Sequence, residues 1–251
     1  MKAEVTLTPS ESKRLLAKAV LKIDDVQNAL RTGTLVICRG STNAYIVEEL
    51  KGSPVKKGKY TAGYIGREGF KVNANLPSET ILVQGREQGA TLVGIVNGLK
   101  PGDVIIKGAN AIGPDRIPGL LVGRENPETK GGTVGFYQTL AMARGIKVII
   151  PVGLEKSIPT SVLVGSSEIS TDKIDLATGT PCGLIPLFGN VITEVEALQI
   201  LADVEAIPIA AGGIGGAEGS IALLMKGTEE HVRKAVSLVQ KIKGEAQVEE
   251  P

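Results

Sequence analysis

Thr34-Leu35-Val36-Ile37-Cys38-Arg39-Gly40-Ser41-Thr42-Asn43 decides the fold class of this chain. The first five residues form a short continuous apolar run, the pattern of a strand buried on both faces. From Asn43 to Leu50 the pattern turns helical, with Ala44, Val47 and Leu50 on one side, and Lys51-Gly52-Ser53-Pro54 stops it. The junction is made of small residues, so backbone N–H groups can converge at a helix N-terminus. Ser41 and Thr42 add hydroxyl donors, and the helix end favours negative charge. Gly40, Ser41, Thr42 and Asn43 therefore form a candidate site for an anion such as phosphate. A plain helix cap that binds nothing is the alternative reading.

The same alternation recurs outward from this stretch. Val104-Ile105-Ile106 and Ile146 to Pro151 read as further buried strands, and Thr80 to Gln84 as another. Val93 to Leu99 reads as a short helix, and a helix runs from the Gly131–Gly135 segment through Ala143, with Gly145 at its end. Before the first strand, Ser10 to Arg31 reads as one helix capped by Ser10 or Ser12. Alternating strands and helices imply right-handed crossovers and an α/β fold, a parallel sheet covered by helices. Lys59 to Asn75 reads as a glycine-rich loop or hairpin, and Gly179 to Gly189 as a linker or loop. The order then changes to strand, helix, strand, strand, helix. The expected division is an α/β domain over residues 1–188, a small α+β (ferredoxin-like) subdomain over 189–245, and a frayed tail at 246–251.

Composition narrows the function classes. The 251 residues are 42% hydrophobic but only 3% aromatic, so Val, Ile, Leu and Ala must fill the core. A net charge of +1 and scarce aromatics argue against nucleic acid as a partner. No apolar run reaches the length of a membrane span, and Met1 to Ser10 lacks the core of a signal peptide. Cys38 and Cys182 make no disulfide framework, so a soluble cytoplasmic protein is expected. His231 is the only histidine, which excludes a two-histidine metal site. No metal and no cofactor are expected.

Two more segments carry candidate chemistry. Lys107-Gly108-Ala109-Asn110 follows a buried strand, and ligands of open parallel sheets sit outside such strand ends. Lys107 could pair with phosphate or move a proton, Gly108 permits close approach, and Asn110 could orient a hydroxyl or carbonyl. Gly131, Gly132 and Thr133 open another helix and form a second candidate anion nest. Asp115 and Glu155 are candidate acids or bases beside Lys107. For each segment the competing reading is a structural turn.

The run Gly40-Ser41-Thr42-Asn43-Ala44-Tyr45-Ile46-Val47-Glu48-Glu49-Leu50 resembles the glycine-serine-threonine loop of ribose-5-phosphate isomerases. Asp103 to Ile112 and Gly131 to Pro151 resemble segments of methylthioribose-1-phosphate isomerases and initiation factor 2B subunits. All belong to a broad superfamily that also holds CoA transferases, and the likeness spans roughly Pro9 to Val152. The resemblance implies a Rossmann-like α/β domain, a ligand phosphate at Gly40 to Asn43, and substrate or acid–base groups near Lys107 to Asn110. The isomerases place an acidic residue where this chain has Asn110, so neither isomerase activity carries over. The expected function is binding of a phosphorylated small metabolite, sugar phosphate-like, by an isomerase-like or transferase enzyme. A non-catalytic metabolite sensor and a homo-oligomeric assembly protein are the alternatives, and a homo-oligomer fits all three.

Overall fold

The computed structural model describes residues 1–123, 132–170 and 172–251. Strand β1 (Lys2–Leu7) leads into helix α1 (Pro9–Val20). Thr8 Oγ1 accepts from Glu11 N at 3.3 Å and Glu11 Oε2 accepts from Thr8 N at 2.9 Å, a capping box that starts the helix before Ser10. The single helix expected from Ser10 to Arg31 is two. Leu21 and Lys22 N–H groups close α1 on Ala17 and Ala19. Asp24 and Asp25 then open α2 (Asp24–Thr32), where acidic side chains suit a helix N-terminus.

Next come β2 (Thr34–Ile37), α3 (Ser41–Lys51), the hairpin β3 (Gly63–Gly66) and β4 (Gly69–Val72), then β5 (Thr80–Val83) and β6 (Arg86–Gln88). Helix α4 (Leu92–Ile95) precedes β7 (Val104–Ile106), β8 (Ala111–Ile112) and β9 (Pro118–Gly123). Helix α5 (Val134–Arg144) ends on Gly145, whose φ of 69° is the left-handed geometry that glycine supplies at a helix end. The chain continues through β10 (Lys147–Pro151), α6 (Val162–Glu168), β11 (Cys182–Pro186) and β12 (Asn190–Ile192). It finishes with α7 (Glu194–Ala202), β13 (Glu205–Gly212), β14 (Ser220–Lys226) and α8 (Glu229–Ile242).

The large sheet has the order β12-β10-β7-β2-β5-β6. Its first four strands are mutually parallel, whereas β5 runs antiparallel to β2 and β6 antiparallel to β5. The sheet is therefore mixed rather than wholly parallel. The cause lies in the chain before β5. Gly40 N donates to Tyr60 O at 2.9 Å, so the chain has already returned to the C-terminal end of β2. From there β5 can only run back.

Both faces of the sheet are buried, as the unalternating run of β2 implies. Leu35 and Ile37 face a core shared with Leu15, Leu16, Ile46, Leu198 and Leu223. Val36 and Cys38 face a second core with Ile81, Ile105, Tyr137 and Ile150.

Among the described residues, two three-stranded sheets and the two-stranded β3–β4 hairpin complete the fold. The expected C-terminal strand pair β13–β14 gains β1 as a third strand, in the order β1-β14-β13. Strand β12 pairs with β10 and so extends the large sheet. The segment read as a linker, Gly179 to Gly189, contains β11, which pairs with β9 beside β8. Residues 246–251, read from the sequence as frayed, run along the molecule. Tyr45 Oη donates to Ala246 O, Gln247 Nε2 donates to Gly216 O, and Val248 packs on the main core. Among the described residues no helix is long and apolar enough to cross a membrane.

Candidate functional site

The parallel strands β2, β7 and β10 end side by side, and each hands the chain to a loop at the same edge of the sheet. These loops floor one cleft of about 890 Å³. Gly40, Ser41 and Thr42 come from the β2 loop, Lys107 to Asn110 from the β7 loop, and Glu155 and Lys156 from the β10 loop. Gly132 and Thr133, at the start of α5, join them, and Lys13 of α1 and Arg39 complete the floor. Of the expected site residues, Gly131 lies outside the described residues.

Among the described residues no side chain caps the start of α3 or of α5. Their first N–H groups keep the partial positive charge of a helix N-terminus. Thr42 is 1% exposed and its Oγ1 has no hydrogen-bond partner among the described residues. Lys107 Nζ donates to Thr133 Oγ1 at 3.0 Å, which ties the second loop to the third. Among the described residues Lys107 forms no ion pair, and burial lowers its pKa from the ordinary lysine value.

The β10 loop carries a buried charge cluster. Lys13 Nζ meets Glu155 Oε1 at 2.9 Å, and Lys156 Nζ donates to Ala109 O at 2.8 Å. Burial pushes the Glu155 carboxyl up, but the Lys13 and Lys156 ammoniums outweigh it and hold the carboxyl below its usual range. Burial pushes Lys156 down to about 8, with Glu155 opposing. Behind them stands Glu194, which accepts from Leu154 N at 2.9 Å and is pushed up to about 7 by burial and by the Glu155 charge. Glu155 Oε2 is buried without a partner. Shifted titratable groups gathered in a cleft are the arrangement that acid–base chemistry uses.

Three expected residues take other positions or roles. Asn43 is fully buried and does not line the cleft. Its Nδ2 donates to Cys38 O at 2.7 Å and to Ile106 O at 3.2 Å, stapling the ends of β2 and β7 together. Asn110 lines the cleft, but its Oδ1 is spent on Leu121 N at 3.1 Å. Asp115 is exposed outside the cleft, in the turn between β8 and β9. It accepts from Ser161 Oγ at 2.6 Å, and that bond lowers its pKa. A turn aspartate bonding its neighbours needs no ligand to explain it.

Sequence reasoning missed Lys13, Lys156 and Glu194 as parts of this cluster, and it gave Arg39 no role beyond its loop. Arg39 lines the floor and pairs with the buried Glu79 at 2.5 Å. The thiol of Cys38 is pushed up to about 11 by burial, which makes it a core residue rather than a nucleophile. Comparisons with known protein families, curated proteins and solved structures find no match. The class that the fold and cleft define is a mixed α/β protein with a cleft at the carboxyl ends of its parallel strands, lined by Lys13, Arg39, Lys107 and Lys156 and by Glu155, Glu249 and Glu250.

Proposed function

We propose that this chain binds a phosphorylated small metabolite in the cleft, with Ser41, Thr42, Lys107 and Thr133 around the phosphate. The observation that carries the reading is the convergence of two uncapped helix starts on one buried lysine. Helix N-termini at the ends of parallel strands are ready-made anion sites, and a Rossmann-like reading of the large sheet puts its ligand there. Thr42 Oγ1, buried and unpartnered, supplies a further group for the ligand.

An enzyme is favoured over a passive sensor by the cluster of Lys13, Glu155, Lys156 and Glu194 at the other side of the floor. Glu155 would move a proton, with Lys107 stabilising developing charge. The isomerase-like part of the family resemblance enters only as this pairing of an anion loop with acid–base groups.

Calorimetric titration with inorganic phosphate and phosphate monoesters tests the reading. Binding is expected in the parent chain and a loss of about tenfold or more in Lys107→Met, the scale of a hydrogen bond to a charged group. Absence of binding to any phosphate, or equal binding by parent and variant, would overturn it.

A further inference from the structure

The cleft has two chemically different sides. Its floor carries the helix starts and the cations. Its outer side carries an apolar strip, built by the β3–β4 hairpin and by β9, with Tyr64, Glu249 and Glu250 also on the lining. Hairpin and strand meet closely at Gly123, where an ideal Cβ would stand 2.8 Å from Val72 Cγ2 and 3.4 Å from Phe70 Cε1. Ile65, Leu76, Leu120 and Val122 continue this wall around the cleft.

Tyr64, Glu249 and Glu250 also line the cleft, while three other polar side chains on this side bond to the protein. Thr61 Oγ1 donates to Lys57 O at 2.9 Å. Asn73 Nδ2 donates to the carbonyls of Lys59 and Thr61, and Asn73 Oδ1 accepts from Asn75 N. Asn110 Oδ1 accepts from Leu121 N. A sugar lying against Phe70, Val72 and Val122 would bury hydroxyls on side chains that cannot bond them, which is unfavourable.

The apolar wall also begins where the anion floor ends. A Cβ on Gly132 would lie 3.8 Å from Val122 Cγ1, so the loop that opens α5 touches the first wall residue. The volume fits more than a headgroup. At about 890 Å³ the cleft is near the top of the range of ligand sites, roughly 300–1,000 Å³.

Resting on the anion-binding reading above, we propose that the ligand is a phosphate monoester with an apolar body, an alkyl or prenyl phosphate rather than a polyhydroxylated sugar phosphate. The phosphate sits on the two helix starts and Lys107. The hydrocarbon leaves past Val122 and lies against Phe70, Val72 and Leu120.

The test is calorimetry on the full chain with inorganic phosphate, ribose 5-phosphate and a series of n-alkyl phosphates from methyl to octyl, each kept below its micelle concentration. Affinity is expected to rise about fourfold per methylene, the transfer value for a buried CH₂, until the chain outruns the wall. Ribose 5-phosphate is expected to bind no more tightly than methyl phosphate. Val122→Thr, close in volume, is expected to weaken octyl phosphate about fivefold by placing a hydroxyl in the wall, and to leave inorganic phosphate unchanged. Phosphate binding with a flat alkyl series, or with ribose 5-phosphate tighter than octyl phosphate, overturns this inference and leaves the anion reading standing. Octanol binding as tightly as octyl phosphate overturns the coupling of wall to floor. No binding by any phosphate overturns both readings.

Discussion

Glu194→Gln tests whether the buried charges of the cleft are held at the expense of stability. Glu194 is fully buried, and burial together with the Glu155 charge pushes its carboxyl from 4.5 to about 7. A carboxyl raised in the native state contributes stability that is fully present below its unfolded value. That contribution is lost as pH rises through the native value. Between 4.5 and about 7 the native state therefore gives up about 3 kcal/mol, at about 1.4 kcal/mol for each pH unit. Glutamine keeps an acceptor for Leu154 N and never ionises. The stability of the variant relative to the parent should therefore climb by about 3 kcal/mol between about pH 4 and about pH 8. Urea unfolding at several pH values in that window reads this directly, and a constant offset from the altered hydrogen bonds cancels in the slope. A difference that stays flat across the window refutes the reasoning. A difference that falls would mean that Glu194 is stabilised as a carboxylate.

Asn43→Ala should cost about 2 kcal/mol in urea unfolding, because it leaves the buried Cys38 carbonyl without the 2.7 Å bond from Asn43 Nδ2. Asn43→Asp should cost more, since it sets an acceptor against the Cys38 and Ile106 carbonyls; equal costs would deny the staple. Gly153→Ala should also destabilise, by about 3 kcal/mol, because an ideal Cβ would stand 1.8 Å from Glu155 Oε2 and drive that carboxylate off Lys13. On a Lys13→Met background most of that cost should vanish, and a cycle without such coupling removes the explanation.

Much of the site-bearing half of the fold was legible from residues 34–43 and 104–110. A run such as Thr34 to Cys38 can only be satisfied between two covered faces, and the helix read after it from Asn43 starts two residues earlier, at Ser41. Other elements carried a signal that composition hid. Lys2, Glu4 and Thr6 alternate with Ala3, Val5 and Leu7, a half-buried strand that reads as a polar end when judged by residue type. Strand β11 stands in a glycine- and proline-rich segment because its partner β9, not its own pattern, supplies the pairing. The direction of β5 depended on where Tyr60 brings the chain back, a tertiary fact. At the site, the loops at residues 40–43 and 107–110 were legible because each follows a buried strand, and the one at 131–135 because it opens a helix. Lys13 and Glu194 were not found because on a helix each looks like an ordinary surface charge. Only the packing of α1 and α7 against the β10 loop buries them. Asp115 failed for the opposite reason: its turn chemistry was mistaken for reactivity.

The charges around the cleft share a thermodynamic direction that a purely structural role would not call for. Lys156, lowered from 10.5 to about 8, costs the native state stability as pH falls from its unfolded value through its native one, because the unfolded chain binds the proton more readily. Lys107, also lowered by burial, acts in the same sense, and Glu194 costs stability as pH rises. Only the Lys13–Glu155 pair opposes them, since the lowered Glu155 carboxyl stabilises the native state above its unfolded value. A core built for stability would replace an unpaired buried ammonium with an apolar side chain of similar length. This cleft instead keeps Lys107 beside the starts of α3 and α5, whose dipoles disfavour its proton, with Thr133 Oγ1 as its acceptor. An anion held there would neutralise the helix ends and favour the charged form of Lys107. On the proposed reading, a phosphate at the helix starts would offset the cost of burying Lys107.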